Sequence, residues 1–257
     1  MMDTKKPKIL YFDIETSPIL AYTWSTGRDI TINPSQVKEH KKVICISYNW
    51  SNESIKKVGR LTWNKKTQCD KKMLSDFNKI ANKADLILGH NGKNFDVKEL
   101  RTAMALRGLK EAWCETPCLD TLQDYRRAFR MPSNRLDALG RQLGLGKKNP
   151  TDFQLWIDVV NGDLKALERM GKYCDQDVRL LRQVHERLAA YVPQTQAVLN
   201  LKNTDFSGRP RSCKGCENKD VRLWVKFGRY KYKGQDYQKY ICKICDTVCM
   251  PDKDKGG

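Results

Sequence analysis

The heptapeptide KILYFDI at residues 8–14 constrains this 257-residue chain more than any other feature. It is short, apolar and rich in β-formers, so it predicts a strand buried within a sheet. Asp13-Ile14-Glu15 closes the run. Side chains at i and i+2 leave a strand on the same face, so two carboxylates converge at its end. Two acids side by side at a buried strand end are costly unless something positive sits between them. Hard oxygen donors suit a divalent cation, Mg²⁺ or Mn²⁺. The plainer reading is an exposed turn carrying two solvated acids.

The pattern that follows fixes the fold class. Residues 43–50 and 55–63 read as the next two strands, joined by a turn at Ser51-Asn52-Glu53. Residues 69–83 carry Met73, Phe77 and Ile80 at helical spacing. Residues 85–89 read as a fourth strand, 95–106 as a helix, and a fifth strand is expected just before Asp120. Helices are expected around 121–129, 135–143 and 163–191. Strands, then alternating helix and strand, then helices predict an α/β sheet with helices on both faces.

Two further elements place acids near that first pair. Gly89-His90-Asn91-Gly92-Lys93-Asn94-Phe95-Asp96 follows a strand and opens a helix, which puts Asp96 near the carboxyl edge of the sheet. Open α/β sheets carry their chemistry at that edge. Tyr173 and Asp177 are i and i+4 on a helix and share one face. Alone, such a pair is usually a core tyrosine beside a surface acid.

In this order and spacing the motifs resemble those of the DEDD superfamily of 3′→5′ exonucleases, which includes polymerase proofreading domains and RNase D-like ribonucleases. Asp13 and Glu15 match its first motif; Asn91, Phe95 and Asp96 its second; Tyr173 and Asp177 its third. The tyrosine is similar to the DEDDy branch, since the sister branch has histidine where this chain has Lys172. The resemblance covers residues 8–190 and implies an RNase H-like mixed sheet with flanking helices. It further implies that Asp13, Glu15, Asp96 and Asp177 hold two Mg²⁺ or Mn²⁺ ions about 4 Å apart for in-line hydrolysis of a phosphodiester. Asp13 would bridge both ions and Tyr173 would orient the attacking water. Asn91 and Phe95 would contact the terminal nucleotides. Single-stranded DNA is the favoured substrate, because the third motif and the LDAL stretch at residues 136–139 look more like proofreading domains; RNA is the alternative. Asp120 and Asp137 read as structural, and His90 as a local hydrogen-bonding residue.

Charge and cysteines complete the picture. The net charge is +18, from 48 Lys and Arg against 30 acids, which favours a polyanionic partner. The sequence has neither an apolar run of membrane-spanning length nor an apolar signal segment after Lys5 and Lys6, so a cytoplasmic location without membrane insertion is expected. No phosphate-cradling Walker loop is present, so ATP use is not expected. Three histidines make a Ser/His/Asp hydrolase a poor fit. Of ten cysteines, five crowd into residues 213–249. Cys213, Cys216, Cys242 and Cys245 form two CxxC pairs at the spacing of a closed tetrahedral Zn²⁺ site, with Cys249 a spare thiol or substitute ligand. A segment this small needs such an ion to fold. Strands are expected at 221–227 and 237–241, with Gly228 and Gly234 in the turn. Trp224, Lys226 and Arg229 interleave rings with cations, as a single-strand grip would. This part resembles the zinc ribbons of transposase accessory proteins. The expected organisation is a catalytic domain over 1–192, a linker over 193–211 and a ribbon over 212–257. A rival of another class is a zinc-ribbon binding or recruitment protein with a vestigial nuclease fold; protein partners are not legible.

Overall fold

The computed structural model describes residues 8–113, 116–147, 150–192, 216, 224–232 and 235–249. The chain divides into two units, Pro7–Gln196 and one containing Ala197–Gly257.

In the first unit the order is β1 (Ile9–Thr16), β2 (Leu20–Ala21), a 3₁₀ turn at Pro34–Gln36, β3 (Val37–Glu39), β4 (Val43–Trp50) and β5 (Gly59–Thr62). There follow α1 (Lys71–Ala81), β6 (Leu86–Gly89), α2 (Asp96–Leu106), β7 (Cys118–Asp120), α3 (Thr121–Ala128), α4 (Leu136–Gln142), α5 (Phe153–Val160) and α6 (Leu164–Leu188). Five strands form one mixed sheet in the order β5-β4-β1-β6-β7. The first three are antiparallel, and β6 and β7 run parallel to β1.

Strand alternation gives β1 two different faces. Leu10, Phe12 and Ile14 pack with Phe77, Val97, Leu100 and Trp113 beneath α1 and α2. The odd-numbered residues face α6: the Tyr11 hydroxyl lies 3.0 Å from His185 Nδ1, and Asp13 meets Cys174. α6 is locked across that face by a polar network. Asp175 accepts from Ser47 Oγ at 2.7 Å and from both Nε and Nη2 of Arg60, whose Nη1 reaches Glu168. Gly171 leaves room for that guanidinium, since a Cβ there would come within 2.7 Å of it. α5 packs on α6, with Leu155 and Val159 buried beside Ile44, Met170 and Cys174.

Two segments differ from expectation. Residues 55–58 leave the expected strand because turns close at Glu53 N to Trp50 O and Lys57 N to Ser54 O, and Asn49 Nδ2 holds both Ser54 O and Lys57 O. The β2–β3 hairpin and α5 are additions to the expected elements.

In the second unit β8 (Trp224–Tyr232), β9 (Gln235–Cys242) and β10 (Val248–Cys249) form an antiparallel sheet in the order β10-β9-β8. Gly228 is not in the turn. It lies inside β8, where the register shifts between Lys226 and Arg229, and pairing continues to Tyr232 opposite Gln235. A strand glycine at a bulge relieves the crowding of the extra residue. Residues 193–211, the expected linker, lie outside the described residues, as does Cys213. No described helix is long and apolar enough to cross a membrane.

Candidate active site

β1 overruns its parallel neighbour: pairing with β6 stops at Tyr11 opposite Leu88, while β1 continues to Thr16. The backbone beyond needs another partner, because an unpaired buried N–H is costly. α2 supplies it. The Ile14 amide donates to Asp96 Oδ1 at 3.1 Å, which brings a third acid between the two on β1. Asp96 is buried at the first position of α2. Burial, and after it the Asp13 carboxylate, pushes its carboxyl well above the usual carboxylate range.

The β6–α2 loop is tight enough to deliver Asp96 there because two glycines close it. A Cβ on Gly92 would sit 2.9 Å from Gly89 Cα. Asn91 between them takes a left-handed conformation with φ +66°. Asp120 then pins the loop and the start of α3 together. Its carboxylate accepts from the amides of Asn91, Lys93, Leu122 and Gln123 at 3.0–3.3 Å. His90 Nδ1 lies 2.9 Å from Thr121 Oγ1. Asp137 forms an i, i+4 ion pair with Arg141.

α6 brings the remaining groups. One carboxylate oxygen from each of Asp13, Glu15 and Asp177 lies within 4.8 Å of the others. Asp177 is buried, and Asp13 and Glu15 are half-buried. Cys174, three residues before Asp177, donates its thiol to Asp13 at 3.3 Å from the main-chain oxygen and 3.5 Å from Oδ2. Burial and the neighbouring Cys45 push the Cys174 thiol up, so it remains a donor. The Tyr173 ring meets Trp156 of α5 edge-on, with centroids 6.3 Å apart. Phe95 sits at the mouth of α2 with Lys41 Nζ 5.8 Å from its ring centroid, and Lys41 also pairs with Glu99 at 2.9 Å. A cleft of about 320 Å³ lined by Thr16, Ser17, Lys41, Phe153 and Trp156 opens immediately beyond Glu15.

The family model described as the RNase_H superfamily matches residues 10–189. The chain belongs to the RNase H superfamily. No curated protein matches it. Among solved structures, this RNase H superfamily chain is similar to the family B DNA polymerase from the hyperthermophilic archaeon Pyrobaculum calidifontis, with a TM-score of 0.53 and 15% identity. The match covers 75% of this chain and 27% of the polymerase chain, so the likeness is one of fold over about a quarter of the polymerase.

An RNase H superfamily fold supports a nuclease that binds nucleic acid, and such folds generally use divalent metals. The donor set here fits such an ion: three oxygens this close repel one another, and a hard dication among them removes that penalty. Cys174, Trp156 and Lys41 are the residues that sequence reasoning missed. Cys174 lies inside the third motif at i+1 from Tyr173, which is the signal that could have found it.

In the second unit, sulfur atoms of Cys216, Cys242 and Cys245 lie within 4.8 Å of one another, with Cys216 and Cys242 at 3.6 Å. Tetrahedral Zn–S bonds of about 2.3 Å place sulfurs about 3.8 Å apart, so the spacing suits zinc. Trp224 stands opposite Cys242, Lys226 opposite Tyr240 and Arg229 opposite Gln238 in the β8–β9 ladder. The side chains of those three lie outside the described residues.

Proposed function

We propose that this chain is a DEDDy-type 3′→5′ exonuclease acting on single-stranded DNA ends. The observation that carries the reading is the convergence of Asp13, Glu15 and Asp177, with Asp96 hydrogen-bonded to the residue between the first two. These four carboxylates would hold two Mg²⁺ or Mn²⁺ ions. When bound, such ions supply Lewis acidity and lower the pKa of water, the chemistry that phosphodiester hydrolysis needs.

The protein's own groups do the rest. Cys174 fixes the Asp13 carboxylate by donating to it, and Ile14 N–H fixes Asp96. Tyr173, four residues before Asp177 on α6, has its ring set against Trp156 and would orient water by its hydroxyl. Asn91 and Phe95 flank the loop that delivers Asp96 and would contact the terminal nucleotide. The cleft beyond Glu15, walled by Phe153, Trp156 and Lys41, has rings for bases and a cation for phosphate. In the second unit Cys216, Cys242, Cys245 and Cys213 would hold one structural Zn²⁺, and the ribbon, with Trp224, Lys226 and Arg229, would grip substrate without chemistry.

The test uses single-stranded DNA and RNA oligonucleotides labelled at either end and incubated with Mg²⁺ or Mn²⁺. Stepwise shortening of 5′-labelled DNA, faster than RNA and abolished by EDTA, is expected. Faster digestion of RNA would make the chain an exoribonuclease, and internal cuts would contradict the exonuclease assignment.

A further inference from the structure

The hairpin between β1 and β4 exposes a row of large apolar side chains that contribute nothing to either core. Tyr22 is 67% exposed and Trp24 fully so, and Ile19, Leu20 and Ile32 are each more than 40% exposed. The backbone at the base of the hairpin, which carries Ile19, Leu20 and Tyr22, is nevertheless well built. The β1–β4 ladder ends with Thr16 opposite Val43, and Ser17 and Lys42 continue it with two hydrogen bonds of 2.9 Å. β2 and β3 then pair Leu20 with Glu39 and Ala21 with Val37. At the far end Gln36 clasps Tyr22: Tyr22 N donates to Gln36 O, and Gln36 Nε2 donates to Tyr22 O. A reciprocal cap between Asn33 and Gln36 fixes that turn. An ordered backbone presenting apolar surface to water marks an interaction site rather than a slack loop.

Charge and position select the partner. Lys38 Nζ lies 5.9 Å from the Tyr22 ring centroid, so a ring and a cation occupy one surface. Exposed Arg28 lies in the same loop. Rings that stack on bases, interleaved with cations for phosphates, form the general platform for a single strand. The hairpin also leaves β1 directly after Asp13 and Glu15. Tyr22 is seven residues past Glu15, within about 25 Å even if fully extended. The cleft lined by Thr16, Ser17 and Lys41 lies at the hairpin's base.

We infer that the β2–β3 hairpin binds the single strand upstream of the nucleotide being removed, with Tyr22 and Trp24 stacking on bases and Lys38 contacting phosphate. This rests on the nuclease reading of the carboxylate site. It makes affinity depend on substrate length, because a dinucleotide fills only the cleft.

The experiment measures the dissociation constant of the full chain for a single-stranded DNA of about twelve nucleotides without added Mg²⁺ or Mn²⁺, where no cleavage is expected. It also measures turnover on that oligonucleotide and on a dinucleotide with Mn²⁺. The variants are Tyr22→Ala, Trp24→Ala and Asp13→Ala. Each hairpin variant is expected to bind the long strand about tenfold more weakly, the size of one lost stacking contact. Dinucleotide turnover and melting temperature should remain native. Native affinity in the Tyr22→Ala/Trp24→Ala double variant, with Asp13→Ala inactive, would overturn the hairpin assignment and leave the nuclease reading standing. Native turnover in Asp13→Ala would instead overturn the nuclease reading, and with it the placement of the strand's end.

Discussion

The Asp96 carboxylate accepts the Ile14 amide at 3.1 Å, so a further acid is tied to the backbone between Asp13 and Glu15. Its charge is therefore separable from its structural role. Asparagine keeps the acceptor and removes the ionisable group. Asp96→Asn should lower nuclease turnover by roughly 10²-fold or more, as for groups needed in the transition state. The melting temperature of the metal-free protein should hold or rise, because a buried acid beside Asp13 is gone. Retained turnover with a lower melting temperature, measured by steady-state assay and calorimetry, would make Asp96 structural only.

Tyr173 offers a similar separation. Its ring contact with Trp156 survives in Tyr173→Phe, while the hydroxyl is lost. Turnover should fall roughly 10²-fold, at the lower end of the 10²–10⁴ range for proton-handling groups, with melting temperature unchanged. Equal turnover with a lowered melting temperature would assign the residue to packing.

His185 predicts a pH dependence of stability. Burial lowers its pKa from 6.5 to about 4, with Nδ1 set against the Tyr11 hydroxyl. The unfolded chain takes up this proton near pH 6.5 and the folded protein only near 4. The stabilising contribution is thus fully present above pH 6.5 and is lost as the pH falls towards 4, by up to about 3 kcal/mol. Denaturant titrations across that window should show the decline, and His185→Gln should flatten it. An identical slope in the variant would place the titrating group elsewhere.

Much of this arrangement is legible in the sequence. KILYFDI reads as an inner strand, and i, i+2 placement puts Asp13 and Glu15 on one face, where α6 lies. The Tyr173/Asp177 spacing put both on one face of that helix. α5 was not legible because FQLWIDVV is apolar nearly all round and only eight residues long, so its period is ambiguous; its one signal was the cap at Asp152, which accepts from Leu155 N. The hairpin escaped because its apolar residues face water, and no burial pattern marks it. The shortened β5 depended on Asn49 holding two carbonyls of the preceding turn, a tertiary contact without a local signature. The partnership of Cys174 with Asp13 needs the helix and the strand together.

The proposed zinc ribbon can be tested through its metal content. Cys216 and Cys242 sulfurs at 3.6 Å suit a shared zinc ion, so the native protein should carry one Zn²⁺ per chain by elemental analysis. Cys242→Ser should release it, because structural zinc supplies the folding energy of such a module. Nuclease turnover at saturating substrate should stay near native. Affinity should fall and its salt dependence flatten by roughly 0.7 per lost phosphate contact. Full zinc content in the variant, or affinity unchanged after the metal is lost, would contradict this role.

The central claim is that the acids on β1, α2 and α6 act together on a phosphodiester through divalent metal. Cleavage of a 5′-labelled single-stranded oligonucleotide as a function of Mn²⁺ concentration, in the native protein and in Asp13→Asn, tests it most directly. The account predicts a ladder of products shortened one nucleotide at a time, saturating with Mn²⁺ and nearly absent in Asp13→Asn at every concentration. Cleavage that persists in EDTA, or a native ladder from Asp13→Asn, would contradict it.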